Sequence, residues 1–279
     1  MTENPTSVDD TPRANGMPML GLGTWQNTNA DECRNAVQTA LEMGYRHIDT
    51  AQAYGNEAEV GEGIAAADVD REEIFLTTKL DTRNRTYQRV VDSTRESLEK
   101  LGTDYVDLLL IHQPNYLTRA SHEETLRAMG NLVDEGLVRH VGVSNFGVEK
   151  LKRAREVSDV PIFTDQVQYH PYWDQRKLLD YCRVHDVLLT AYSPLARGSV
   201  LNDPILERIG TAYGKSPAQV ALRWLLQQDG VVTIPKATSR EHIEANLDVF
   251  DFELTDAEMR EIRQPSKLRT AAAYLRSMV

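Results

Sequence analysis

The chain has 279 residues, of which 41% are hydrophobic, so it is long enough for one large core and short for two average domains. Its 42 Asp and Glu outnumber its 31 Lys and Arg, and the net charge of -11 argues against a nucleic-acid partner, which requires a basic surface. No apolar run approaches the ~20 residues of a membrane span, and two cysteines form neither a disulfide framework nor a cysteine zinc site. These counts predict a globular, cytoplasmic protein with no membrane partner.

The first 16 residues are polar and acidic and lack the apolar stretch of a signal peptide. We expect residues 1–16 to form a flexible acidic segment and residues 17–279 to form a single domain, because no linker separates two compositions. Of the basic residues, 8 are Lys and 23 are Arg. An acidic, Lys-poor surface suits a salt-rich cytoplasm that screens self-repulsion, and a GC-rich genome that favours Arg accounts for the same counts.

Eight short apolar runs recur along the chain, each separated from the next by a loop and an amphipathic stretch. The runs are Met19–Gly23, Tyr45–Ile48, Ile74–Thr78, Tyr105–Ile111, Val138–Val143, Ile162–Val167, Val187–Tyr192 and Val231–Ile234. Their length and composition predict buried strands.

Helix-start signals lie between these runs. Asn29 precedes a helix predicted over Ala30–Met43, and Ser216-Pro217 supplies an N-cap and a first-turn proline for one over Ala218–Gln228. Capping boxes at Ser121–Glu124 and Thr255–Glu258 predict a helix over Thr125–Asp134 and a last helix near the C-terminus.

Strands that alternate with helices pair in parallel through crossover helices, and eight strands close a barrel. The pattern therefore predicts an α/β fold, a (β/α)8 TIM barrel with a C-terminal helix. A doubly wound sheet is the alternative. When such a sheet binds a dinucleotide it carries a glycine-rich turn that opens a helix, whereas Gly21-Leu22-Gly23 leads into Thr24-Trp25-Gln26 without a third glycine.

Polar or ionisable residues follow or end nearly every run, at the carboxyl ends where barrel enzymes place their chemistry. They are Asp49, Tyr54, Lys79, His112, Ser144, Asn145, Gln166, Tyr192 and Lys236. Each alone has a structural explanation, such as a turn cap, a solvated tip or a core histidine. Their coincidence at one rim predicts a catalytic site. The seven histidines lack a ligand spacing such as His-x-x-x-His, so we expect no metal.

Five ordered motifs run along the chain. They are Gly44–Ala51 followed by Tyr54, Glu57 and Gly61; Leu101–Leu108 followed by Ile111-His112; Val141–Phe146; Tyr192–Leu195; and Ile234–Lys236. In these motifs the chain resembles the aldo-keto reductases, from about Met19 to about Ile262. It is most similar to a prokaryotic branch that includes 2,5-diketogluconate reductases and small-aldehyde reductases. The resemblance implies NAD(P)H-dependent reduction of aldehydes or ketones to alcohols.

Reducing a carbonyl requires a hydride on carbon, which the cofactor supplies, and a proton on oxygen. The resemblance implies four catalytic residues. Tyr54 donates the proton, Lys79 lowers the tyrosine pKa from its usual value of about 10, and Asp49 holds Lys79 in place. His112 polarises and orients the carbonyl.

The resemblance also implies a path for NADPH along the rim. Ser144, Asn145 and Gln166 bond the nicotinamide carboxamide, Tyr192 stacks on its ring, Ser193 and Leu195 line the pyrophosphate path, Lys236 lies near the 2′-phosphate, and Asn246 faces the adenine. The remaining expected cofactor contacts are Gly23, Thr24, Asp49, Pro194, Pro235, Ser239 and His242.

The third signature of the family is altered in this chain. Ala237 follows Lys236 where the family has Ser or Thr, and His242 stands where an Arg that clamps the 2′-phosphate is expected. A histidine lacks the guanidinium fork and is largely neutral above its pKa of ~6.5. We therefore expect NADPH to be preferred through Lys236 by a narrow margin, with NADH also used.

The sequence limits the substrate only to a broad class of carbonyl compounds. Trp25, Tyr54, His112 and Trp173 are expected to wall the pocket, which suits a small aldehyde, an α-dicarbonyl or a keto-sugar. The resemblance implies a C-terminal tail over the active-site rim, because in the family the tail closes over the substrate. Residues 267–279 do not align with that tail. We expect a monomer.

Two other functions compete with the reductase. A cofactor-sensing regulatory subunit without catalytic activity uses the same fold. A Schiff-base barrel enzyme with Lys79 as nucleophile would leave Tyr54 and the Ser144-Asn145 pair without a role.

Overall fold

The computed structural model describes residues 11–114 and 120–263. Its strands are β1 (Arg13–Ala14), β2 (Met17–Pro18), β3 (Leu22–Gly23), β4 (His47–Asp49), β5 (Phe75–Leu80), β6 (Val106–Ile111), β7 (Val138–Ser144), β8 (Ile162–Gln168), β9 (Leu188–Tyr192) and β10 (Val231–Thr233). Its α-helices are α1 (Ala30–Glu42), α2 (Glu57–Ala66), α3 (Tyr87–Leu101), α4 (His122–Asp134), α5 (Val148–Val157), α6 (Arg176–Val184), α7 (Pro204–Tyr213), α8 (Pro217–Leu226), α9 (Arg240–Leu247) and α10 (Asp256–Ile262). Strands β3 to β10 correspond to the eight predicted apolar runs.

The strands β3 to β10 form one parallel sheet in chain order, and this sheet closes on itself. Leu20 bridges Thr233 in parallel, and the backbone amide of Gly23 donates to the carbonyl of Pro235 at 3.1 Å. A Cβ on Gly23 would lie 2.7 Å from the carbonyl oxygen of Ile234, so glycine is required where the first and last barrel strands meet. The predicted (β/α)8 barrel is therefore confirmed, and the doubly wound alternative is wrong.

A two-stranded hairpin lies at the amino-terminal side of the barrel. Strands β1 and β2 pair antiparallel around a turn in which Asn15 and Gly16 are both left-handed. Met17 is fully buried and clusters with Phe75 and Leu108 of the barrel strands. The domain therefore includes this hairpin, and the boundary expected between residues 16 and 17 cuts through it. Residues 1–10 of the expected acidic segment lie outside the described part of the chain.

The helix caps follow the sequence at three of the four predicted starts. Asn29 accepts the amide of Glu32, and Ser216 and Thr255 form full capping boxes. The Ser121–Glu124 box is incomplete. Ser121 accepts the amide of Glu124, but the Glu124 carboxylate accepts the amide of Tyr87 at 2.9 Å and so joins α4 to the start of α3. The helix also begins three residues earlier than predicted, at His122.

The predicted C-terminal helix is α10, which packs on α7 and α8. Arg208 pairs with Glu261 at 2.6 Å, and the indole of Trp224 donates to the carbonyl of Met259 at 3.2 Å. The expected tail over the rim lies outside the described residues. Among the residues described, no helix combines the length and apolar character needed to cross a bilayer.

Candidate active site

A buried ion pair lies at the carboxyl end of β4 and β5. Asp49 ends β4, and Lys79 is the fifth residue of β5; the side chain of Lys79 is 0% exposed. The Lys79 ammonium donates to Asp49 Oδ1 at 2.5 Å and to the carbonyl of Thr50 at 2.8 Å. Gln166 Nε2 donates to the other carboxylate oxygen of Asp49 at 2.7 Å. The pair is therefore held from both ends by hydrogen bonds.

The electrostatics of the pair keep Lys79 protonated. Burial lowers the pKa of Lys79, but Asp49 and Tyr54 outweigh burial and leave the pKa above its usual value. Burial raises the pKa of Asp49, and the charge of Lys79 opposes that rise. A protonated, fully buried ammonium is a poor nucleophile. This geometry disfavours the Schiff-base hypothesis for Lys79.

Tyr54 ends a short 3-10 helix over Gln52–Tyr54, which left-handed Gly55 terminates. Its hydroxyl lies 3.3 Å from Lys79 Nζ, and that nitrogen lies 4.9 Å from the ring centroid. Burial raises the pKa of Tyr54, Lys79 lowers it and Asp49 raises it, so the net shift is upward. Lys79 lowers the pKa of Tyr54 as expected, but burial, which is the largest effect, and the charge of Asp49 together outweigh it.

His112 follows β6, and its ring packs edge-on against Tyr54 with centroids 5.7 Å apart. Burial lowers the pKa of His112 to about 4, with a further contribution from Lys79. The imidazole is therefore neutral near pH 7 and retains an N–H donor. A neutral donor beside the tyrosine hydroxyl suits a carbonyl oxygen.

A hydrogen-bonded chain of polar side chains faces this centre from β7, β8 and β9. The Tyr192 hydroxyl donates to Asn145 Oδ1 at 2.8 Å. Asn145 Nδ2 donates to the Ser144 hydroxyl at 2.9 Å and to the carbonyl of His112 at 3.0 Å, and Ser144 donates to the carbonyl of Gln166 at 2.8 Å. Asn145 has φ of 64°, a left-handed conformation that asparagine tolerates better than most residues. The turn after β7 is thereby fixed against the neighbouring strands.

A cavity of about 330 Å³ brings these groups together. Its lining includes eleven of the expected residues: Gly23, Trp25, Asp49, Tyr54, His112, Ser144, Asn145, Gln166, Tyr192, Ser193 and Lys236. The sequence reasoning missed four further lining residues: Ala53, Gln113, Arg197 and Ile234. Ala53 and Gln113 are neighbours of singled-out residues, and Ile234 precedes the Pro235-Lys236 motif. No signal in the sequence marked Arg197.

The expected residues outside the cavity lining are Thr24, Lys79, Trp173, Pro194, Leu195, Pro235, Ser239, His242 and Asn246. Thr24 is buried and its hydroxyl donates to the carbonyl of Asp49 at 3.0 Å, so its side chain supports the β4 end. Asn246 is also buried, and its side chain bonds the phenol of Tyr45; its expected contact with the adenine stays a prediction. Ser239 caps α9 by accepting the amide of exposed His242 at 3.3 Å.

Metal chemistry has no visible ligand set in this region. Across residues 11–114 and 120–263, no group of three His, Cys, Asp or Glu side chains is placed to hold a metal ion.

The site combines a buried Lys–Asp pair with a tyrosine and a neutral histidine, and it lies at the carboxyl ends of the barrel strands. This arrangement defines a barrel enzyme equipped for proton transfer. The sequence model of the aldo/keto reductase family matches residues 19–267. The chain belongs to this family and is an oxidoreductase. Aldo/keto reductases use nicotinamide cofactors.

Two solved structures and one curated relative show how close the similarity is. Glyoxal reductase of Bacillus subtilis (strain 168) is 41% identical, over 92% of this chain and 93% of its own length. A crystal structure of a putative 2,5-diketo-D-gluconic acid reductase B is 44% identical with a TM-score of 0.86, and covers 89% of this chain and 88% of that one. An aldo-keto reductase of Bombyx mori in complex with NADP is 38% identical with a TM-score of 0.84, and covers 89% of each chain.

Proposed function

We propose that the protein reduces aldehydes or ketones to alcohols with NADPH and that Tyr54 is the proton donor. The observation that carries this proposal is the 3.3 Å approach of the Tyr54 hydroxyl to Lys79 Nζ, at a cavity that also holds His112. A bound nicotinamide supplies the hydride that a carbonyl carbon needs. The carbonyl oxygen then takes its proton from Tyr54, while neutral His112 donates a hydrogen bond to it. The Lys79 ammonium stabilises the phenolate that Tyr54 becomes when it gives up its proton, and Asp49 holds that ammonium in place.

The polar wall of the cavity fits a nicotinamide. Gln166 uses one N–H on Asp49, which leaves its amide oxygen and second N–H for a carboxamide, and Tyr192 offers an aromatic face. Ser144 and Asn145 hold that wall in place through the bonds they make to each other and to Gln166 and His112. We propose that Gln166 makes the direct contact, with Ser144 and Asn145 beside it.

Cofactor choice depends on the groups beyond the cavity. Lys236 lines the cavity mouth and donates to the carbonyl of Gln26 at 3.2 Å, so its charge lies at the rim. His242 and Ser239 open α9, beyond that lysine in the chain. We propose that Lys236 favours NADPH and that the histidine leaves the preference narrow, so that NADH also supports turnover.

The substrate class follows from the named relatives and from the size of the cavity. One relative is a glyoxal reductase and one structural neighbour is a putative 2,5-diketo-D-gluconic acid reductase. We propose small aldehydes, α-dicarbonyls and keto-sugars as the substrate range. We propose that the enzyme acts as a monomer.

The test combines cofactor binding with turnover. Binding of NADPH and NADH is measured by protein fluorescence, and reduction of a panel of carbonyl compounds is measured by loss of cofactor absorbance. Tyr54→Phe should reduce kcat by about 10²- to 10⁴-fold with cofactor binding unchanged, because it deletes the proposed acid. Tyr181→Phe, outside the cavity, is the matched control and should behave as wild type.

Turnover by Tyr54→Phe within a few-fold of wild type would remove the tyrosine from this role. Cofactor binding without reduction of any carbonyl by the wild-type protein would instead support the regulatory subunit.

A further inference from the structure

The proton-donor geometry of the site depends on two separate segments of the chain. Tyr54 lies on the 3-10 helix over Gln52–Tyr54, and Lys79 lies on β5. The backbone amide of Tyr54 donates to the carbonyl of Ala51 at 3.0 Å, a bond that shapes the turn but does not connect it to β5. The 3.3 Å distance between the Tyr54 hydroxyl and Lys79 Nζ therefore depends on further contacts that join the two segments.

The side chain of Gln52 makes such a contact. Its Oε1 accepts the backbone amide of Asp81 at 2.7 Å and the side-chain amide of Asn84 at 3.0 Å. Gln52 lies two residues before Tyr54. Asp81 lies two residues after Lys79, so the 2.7 Å bond connects the tyrosine to the lysine through short lengths of backbone. The turn after β5 is itself fixed, because the backbone amide of Asn84 donates to the carbonyl of Asp81 at 2.9 Å.

The nitrogen of the same amide binds α3. Nε2 of Gln52 donates to the carbonyl of Ser93 and to the hydroxyl of Ser97, each at 3.1 Å. A primary amide has two N–H groups and two lone pairs on its oxygen, and here all four are used. The half-buried side chain of Gln52 is therefore held in one orientation between α3 and the turn after β5.

Further hydrogen bonds close a ring around the segment that carries the tyrosine. The hydroxyl of Ser97, which is 1% exposed, donates to one carboxylate oxygen of Glu57 at 3.2 Å. The hydroxyl of Thr78 on β5 donates to the other oxygen of Glu57 at 2.6 Å. Tyr54 lies between Gln52 and Glu57 in the chain, so its segment is fixed to α3 and to β5 on both sides.

We propose that Gln52 is a positioning residue for the proton donor and fixes the Tyr54 hydroxyl at hydrogen-bonding distance from Lys79. This inference rests on the proposed carbonyl reductase function and adds to it a residue that lies outside the cavity lining. Gln52 acts through the tyrosine and contacts neither the substrate nor the cofactor. A displacement of about 1 Å at a reacting group lowers a rate by about 10²-fold, so a small shift of the 3-10 helix is enough to impair turnover.

The experiment compares Gln52→Met and Gln52→Glu with wild type, using NADPH and the carbonyl compound that wild type reduces fastest. Methionine keeps the length of the side chain and removes its four hydrogen bonds. Gln52→Met should therefore lower kcat about 10- to 100-fold and leave the KM of the carbonyl compound and the Kd of NADPH within about twofold of wild type. Glutamate keeps an oxygen for the amide of Asp81, so Gln52→Glu should have a higher kcat than Gln52→Met.

The solvent isotope effect on kcat, measured in water and in D2O, reports the proton transfer separately. It should increase in Gln52→Met, because transfer of the Tyr54 proton becomes slower relative to the other steps. Loss of folded protein lowers the apparent kcat without changing this isotope effect. The concentration of folded enzyme is taken from the stoichiometry of NADPH binding.

The matched control is Gln227→Met. Gln227 is also half-buried, lies outside the cavity lining, and bonds the backbone carbonyl and amide of Leu254 at 2.7 and 2.8 Å. Its loss should lower stability in urea and leave kcat and the solvent isotope effect unchanged.

Three results would overturn the proposal and leave the reductase function standing. The first is a kcat and an isotope effect in Gln52→Met that match wild type, as in the control. The second is a rise in KM or in the Kd of NADPH that is as large as the fall in kcat, because it assigns Gln52 to binding. The third is equal kcat for Gln52→Met and Gln52→Glu, because the bond to Asp81 then does not position the tyrosine. Absence of carbonyl reduction by the wild-type protein overturns the reductase function, on which the inference rests.

Discussion

The buried pair of Asp49 and Lys79 makes a quantitative prediction about stability. At an effective dielectric constant of about 20, unit charges 2.5 Å apart attract by about 7 kcal/mol. Desolvation costs several kcal/mol per ion, so the intact pair contributes little net stability. Removing one partner of the pair destabilises the protein, because the remaining charge is then buried alone.

A buried side chain without its partner becomes neutral by gaining or losing a proton, and the free energy of that proton transfer limits the loss of stability. At pH 7, deprotonating a lysine of reference pKa about 10.4 costs about 4.6 kcal/mol, and protonating an aspartate of reference pKa about 3.9 costs about 4.2 kcal/mol. We therefore expect Asp49→Asn and Lys79→Met each to destabilise the protein by about 3 to 5 kcal/mol at pH 7. The double variant should cost much less than the sum, since it buries no charge.

The two single variants should respond to pH in opposite directions. In Lys79→Met the folded state holds Asp49 protonated, so its pKa is raised and the penalty shrinks from pH 7 to pH 5, to about 1.5 kcal/mol. In Asp49→Asn the folded state holds Lys79 neutral, so its pKa is lowered and the penalty shrinks from pH 7 to pH 9, to about 2 kcal/mol.

Urea unfolding of the four proteins at pH 5, 7 and 9 measures these differences. The exposed Glu96–Lys100 pair, 2.6 Å apart on α3, supplies the control, and Glu96→Gln and Lys100→Met should each cost about 0 to 1 kcal/mol. Additive single effects, or penalties with the same pH dependence, would refute the reasoning.

Three further predictions concern a lone carboxyl, the cofactor and salt. Burial raises the pKa of Asp165 well above its usual value, so the folded state is destabilised as pH rises and the carboxyl loses its proton. In urea unfolding, Asp165→Asn should therefore stabilise the protein by about 1 to 3 kcal/mol at pH 8 and have no effect at pH 3. The exposed Asp180→Asn is the control. His242→Arg should tighten NADPH about tenfold or more and leave NADH unchanged in fluorescence titrations, and equal effects on both would show that residue 242 does not meet the 2′-phosphate. If the acidic surface is an adaptation, Tm should rise between low and molar KCl, and a flat Tm favours the genome-composition explanation.

The fold was predictable because it depends on periodicity and length. Each apolar run is too short for a helix, and each interval is long enough for a crossover, so the strand count and the parallel pairing follow. The strand ends were less certain, since Lys79 and Asp49 are polar residues that continue a buried strand. The polarity of these two residues argues for a loop, but they remain in the sheet because their charges neutralise each other.

The missed features depend on long-range geometry that local patterns do not encode. Glu124 has the spacing of a capping box, and the sequence does not show that the amide of Tyr87 lies nearer. The sequence also does not show that the side chain of Asn246 is buried against Tyr45, because this depends on how α9 packs. Arg197 lines the cavity on a loop with left-handed backbone at three non-glycine positions, Ser193, Ala196 and Arg197, which residue preference argues against.

Side chains alternate along β5, so this one strand both carries Lys79 and anchors the segment that carries Tyr54. Lys79 points into the barrel, where it reaches Asp49 and Tyr54. Its neighbour Thr78 points outward and donates to the buried carboxylate of Glu57 at 2.6 Å. Glu57 begins α2, three residues after Tyr54, so this outward bond anchors the segment that carries the tyrosine. A shift of β5 by one residue would exchange the two faces, and would remove the cation and the anchor of Tyr54 together.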